Sequence, residues 1–64
     1  MDQLESAARR GLRVVLSRRG TEYIVVARRV TSVGRHEVFV GLLPMTGEEL
    51  TFQLGDIDSF QVIE

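Results

Sequence analysis

The side chains with chemical reach in this chain are one histidine, nine carboxylates and eight arginines. Acid–base or nucleophilic catalysis needs a base held beside the group it activates, and His36 is the only imidazole. Alone at the start of an alternating run, it reads as structural or exposed rather than catalytic or metal-binding. Asp56 and Asp58 have the spacing of paired carboxylates, for proton transfer or a cation. Gly55-Asp56-Ile57-Asp58 is better read as a tight turn, where aspartate side chains accept from nearby backbone N–H groups. Glu48 and Glu49 flank another turn and read as solvated. Gly41 and Gly47 are separated by Pro44 and followed by no lysine, so they form no phosphate loop. With no cysteine there is no thiolate nucleophile, disulfide, cysteine-based zinc site or iron–sulfur site. The expectation is a binding protein rather than an enzyme, with no cofactor and no metal.

The arginines are the sharpest feature. All eight lie between positions 9 and 35, where only Glu22 opposes them, giving that stretch a charge of +7. Residues 1–8 carry −2 from Asp2 and Glu5, and residues 36–64 carry −6, so a near-neutral total hides two opposite parts. Charge asymmetry of this kind speaks to partners rather than to fold. Arg13, Arg28, Arg29 and Arg35 are the candidate nucleic-acid contacts, because guanidinium forks fit phosphates and stack on bases. Against this stand a pI of about 5.8 and only four aromatic residues, of which Phe52 and Phe60 read as buried. The plainer reading spreads the arginines around the domain and pairs them with Glu37, Glu49 or Asp58 on neighbouring strands.

What positions these groups is one small domain spanning 1–64. A chain of 64 residues buries only about 60% of its unfolded surface, so it holds neither a second domain nor a deep enclosed site. The apolar fraction of 44% argues against disorder. No apolar run approaches the ~20 residues of a membrane span, and Met1-Asp2-Gln3-Leu4-Glu5 lacks the basic start of a secretion signal. A soluble cytoplasmic protein is expected.

The spacing predicts a helix over about 2–10: Asp2 and Glu5 form a capping box, Arg9 and Arg10 occupy the last turn, and Gly11 stops it. From there the period changes to two, predicting strands at about 12–18, 21–32, 36–43, 49–54 and 59–63. In the second strand the apolar side switches around Arg28-Arg29, so a bulge or sharp bend is expected there. Leu50, Phe52 and Leu54, then Phe60 and Val62, are the inward residues of the last two strands. A single helical turn between those strands lets Ile57 and Phe60 both reach the core. One short helix followed by a five-stranded, strongly bent antiparallel sheet is the order of an Sm-like small barrel, mainly β. An OB-type barrel would need a helix between the third and fourth strands, where only Pro44 to Gly47 is free.

Three stretches carry a resemblance: Asp2-Gln3-Leu4-Glu5-Ser6-Ala7 at the start, Glu37-Val38-Phe39-Val40 in the third strand, and Leu54-Gly55-Asp56-Ile57-Asp58-Ser59-Phe60 at the end, together with Gly20. They resemble the Rof family of Rho-binding antiterminators, which open with an Asp-x-Leu-Glu-x-Ala helix and close with Leu-x-x-Ile-x-Ser-Phe on an Sm-like fold. The resemblance implies a protein partner, transcription termination factor Rho, bound at its primary RNA-binding site in competition with RNA. It also implies that acidic groups around the first helix make the contact. Asp2 and Glu5 carry over to that role, with Arg9 and Arg10 beside them on the same helix. Two other readings stand next to it: direct RNA binding through the clustered arginines, and self-assembly in which the basic part of one copy meets the acidic part of another.

Overall fold

The computed structural model describes residues 3–63. Helix α1 spans Gln3–Arg10, followed by strands β1 (Arg13–Arg18), β2 (Thr21–Val33), β3 (His36–Leu42), β4 (Glu49–Gln53) and β5 (Ile57–Ile63). Leu54–Asp56 forms one 3-10 turn between β4 and β5. All strand pairs are antiparallel, in the order β4-β3-β2-β1-β5. This is the expected helix and bent five-stranded sheet of Sm-like order. The sheet is not closed: β4 and β5 are its two edges, each with one hydrogen-bonded neighbour.

The helix ends as its glycine requires. Gly11 takes a φ of +67°, its N–H donates to the Ala8 carbonyl at 3.3 Å, and the Leu12 N–H donates to Ala7 at 2.9 Å. That pair of bonds is a Schellman stop, which satisfies carbonyls the helix leaves open. The Leu12 carbonyl then accepts from the Ala27 N–H at 2.8 Å, which fixes the helix exit against the middle of β2. Asp2, the expected cap, lies outside the described residues.

Leu4 and Ala7 of α1 join Val14, Leu16, Val25, Ala27, Phe39 and Phe52 in one buried cluster. Burying a side chain such as Leu16 or Phe52 contributes roughly 1.5–3 kcal/mol. Its centre is aromatic: Phe39 stacks on Phe52 at 6.3 Å, and Tyr23 meets Phe52 edge-on at 5.2 Å. The expected irregularity in β2 is a bulge. Ala27 opposes Gly41 and Arg29 opposes Val40, which leaves Arg28 as the extra residue. Gly41 makes the bend passable, since a Cβ there would stand 2.6 Å from a Val25 methyl.

Several expected boundaries move. β1 begins at Arg13, β2 runs on to Val33, β3 ends at Leu42 and β4 at Gln53. β5 begins at Ile57, because the helical turn is made by Leu54–Asp56 and the chain is already extended where a turn was expected. The expectation that Phe60 is buried is also corrected. It shares the inner face with Leu16, its register partner, yet is 39% exposed. An inner face is covered only where the sheet curls over it, and between the edges β4 and β5 this sheet stays open.

Candidate functional site

Helix α1 packs against β2 and β5, and its last turn directs two adjacent arginines to different sides. On the β5 side, Gln3, Ser6 and Arg10 face Phe60 and Gln61 across a hollow of about 340 Å3. A smaller apolar notch of about 150 Å3, between Leu4, Leu54, Ile57 and Phe60, continues it along the open seam. On the β2 side, Arg9 stands over an open cleft of about 350 Å3 with Arg28 and Arg29 opposite and Glu5, Ala8 and Val30 completing the lining.

The convergence of Arg28 and Arg29 follows from the bulge. Successive residues of a regular strand point to opposite faces, so one of two adjacent arginines would turn toward the core. The extra residue removes that alternation: Ala27 is buried, Arg28 and Arg29 are both exposed, and Val30 turns back toward the core. Both residues therefore line the cleft. Arg28 has one weak partner, Glu49, at 3.9 Å between half-exposed side chains. Arg9 and Arg29 make no ion pair among the described residues.

The other proposed nucleic-acid contacts do not join this group. Arg13 is exposed on β1, opposite Val26 and Ile63. Arg35 sits in the β2–β3 turn, beside His36 and Glu37 in a separate shallow groove closed by Gln53, Leu54 and Gly55. Among the partner-contact candidates, Glu5, Arg9 and Arg10 are all exposed on α1, and Asp2 lies outside the described residues.

Asp58 meets an arginine of the first hairpin, as the plainer reading of the charges expects, though through the backbone, and Asp56 joins it there rather than serving its own turn. Asp58 accepts the backbone N–H of Arg19 at 3.0 Å, and Asp56 lies 3.9 Å from the Arg19 guanidinium. They tie the β1–β2 hairpin to the start of β5 rather than closing their own turn. Among the described residues no group of histidine, aspartate and glutamate is assembled that would hold a metal ion, and no helix is long and apolar enough to cross a membrane. Comparison with protein-family models, with curated proteins and with solved structures finds no match.

Proposed function

We propose that this chain is a non-enzymatic binding protein that regulates transcription termination in the manner of the Rof proteins it resembles, by occupying the RNA-binding site of Rho. The observation that supports this reading is Phe60. A phenylalanine from the closing motif of the resemblance is exposed beside α1, rimmed by Gln3, Ser6, Arg10 and Gln61. An aromatic side chain set in a hollow with a polar rim is how protein interfaces concentrate their binding energy. Glu5, the acidic residue that carries over, is exposed on the same helix.

The test is capture of purified Rho on the immobilised protein, together with Rho-dependent termination in a reconstituted transcription reaction. The expected result is a recovered complex and increased read-through, both reduced by Glu5→Lys. No Rho on the beads and unchanged termination would overturn the reading.

A further inference from the structure

We infer that the cleft between α1 and the β2 bulge is a binding site for the phosphodiester backbone of single-stranded nucleic acid, with Arg9, Arg28 and Arg29 as its contacts. This goes beyond the proposed function, which places a protein partner on α1 and Phe60 and gives the chain no nucleic-acid ligand of its own.

Three observations carry it. The lining holds three arginines against one carboxylate, Glu5, a local excess of two positive charges on a chain whose net charge is −1. Two of the three arginines have no ion-pair partner among the described residues, and the third has only Glu49 at 3.9 Å, a contact that a phosphate can displace. The cleft is also held in shape by the backbone. The Leu12-to-Ala27 hydrogen bond joins the turn after Arg9 to the residue before Arg28, so the three arginines are carried to the cleft by fixed elements rather than by a loop.

The ligand class follows from the lining. Guanidinium forks match phosphate oxygens, and Ala8 and Val30 offer an apolar floor with no group that reads a base. The cleft contains no aromatic residue for a base to stack on, and arginine contacts to phosphate carry no sequence information. A single strand can bend to bring successive phosphates to three arginines set between a helix and a bent strand, which a stiff duplex does less readily. Phosphate oxygens are common to RNA and DNA, so recognition of the backbone predicts that single strands of either kind bind alike.

The experiment is fluorescence anisotropy of the full chain with a labelled twelve-residue oligouridine, repeated with oligothymidine, a twelve-base-pair duplex and polyglutamate. Neutralising three phosphates on a single strand predicts a salt slope of about −2, so binding weakens roughly twentyfold between 50 and 200 mM salt. The double substitution Arg28→Gln with Arg29→Gln is expected to reduce that slope to about −0.7, and Arg9→Gln alone to about −1.4. Arg13→Gln, outside the cleft, leaves it unchanged. Glu5→Gln removes the one opposing charge and tightens the oligonucleotide about two- to fivefold, while weakening capture of Rho. The two proposals therefore fail separately. Binding absent at low salt, a slope indifferent to Arg9→Gln and to the bulge double variant, preference for the duplex, or equal binding of polyglutamate would each overturn the inference.

Discussion

Within the sheet the dipeptide Arg-Arg occurs twice, at the end of β1 and in the middle of β2, and the two places treat it in opposite ways. At Arg18-Arg19 the fold holds the side chain of the first residue and the backbone of the second. The Arg18 guanidinium lies 5.4 Å from the centre of the Tyr23 ring and 5.1 Å from that of Phe52, and it donates to the Tyr23 hydroxyl at 3.4 Å. Arg19 adopts a φ of +52°, followed by Gly20 at +81°, which makes the two-residue turn that suits a twisted hairpin. Its N–H is held by Asp58 and its side chain lies near Asp56. At Arg28-Arg29 the only ion pair among the described residues is that of Arg28 with Glu49, and both side chains stand over open space. A turn sends Arg18 over the aromatic core and Arg19 toward β5, whereas a bulge sends both residues of the later pair into one cleft. Local backbone geometry, not residue type, decides which arginines hold the domain together and which remain free for a partner.

The largest way to break this contrast is to remove the condition for the bulge. Gly41 lies opposite Ala27, and a methyl group there would meet Val25 at 2.6 and 2.8 Å on the side-chain atoms of a buried β-branched residue that has little room to turn. Gly41→Ala is expected to cost about 1–3 kcal/mol, lowering the melting temperature by roughly 5–20 °C in a domain of this size. A circular-dichroism melt checks it. An unchanged midpoint would mean that β3 does not need to approach β2 so closely.

How much of this was legible in the sequence depends on whether a feature is local. The helix stop at Gly11, the strand alternation of Val14 and Leu16, and the irregularity at Arg28-Arg29 were all readable, because each is written in a few consecutive residues. The grouping of Arg9 with Arg28 and Arg29 was not, since it depends on how α1 docks and on which way the bulge turns two side chains. Phe60 was misread for a related reason. Alternation gives its face correctly, but whether that face is covered depends on the whole sheet curling until β4 and β5 pair; only Leu54–Asp56 separates them in sequence, yet they stand at opposite edges of the sheet. The +7 and −6 segregation is partly dissolved by the fold, through Arg19 with Asp56 and Arg28 with Glu49, and what survives of it is concentrated in the cleft.

A smaller effect compares the two pairs directly. Arg18→Gln removes a cation held over two rings at a half-buried position and is expected to cost about 1 kcal/mol. Arg28→Gln and Arg29→Gln, at exposed positions, should each change stability by less than about 0.5 kcal/mol. Urea titration of the three variants measures this. If Arg29→Gln destabilised the domain as much as Arg18→Gln, the bulge arginines would be structural, and the division between the pairs would be lost.

The smallest effect lies within the hairpin, and it separates the backbone of Arg19 from its side chain. Arg19→Gly gives up an exposed ion pair with Asp56 that is worth about 0–1 kcal/mol. It also relieves the positive φ, which glycine adopts without steric penalty, while costing the extra freedom glycine has in the unfolded chain. These contributions oppose one another, so the net change should be within about 0.5 kcal/mol. Asp58→Ala instead removes the acceptor of the Arg19 N–H, a bond that Arg19→Gly leaves in place, and is expected to cost about 0.5–1.5 kcal/mol. Asp58→Ala should therefore be the more damaging of the two in denaturant titration. If Arg19→Gly were the worse, the guanidinium rather than the peptide N–H would be holding the hairpin to β5, and Arg19 would owe its structural role to charge rather than to backbone geometry.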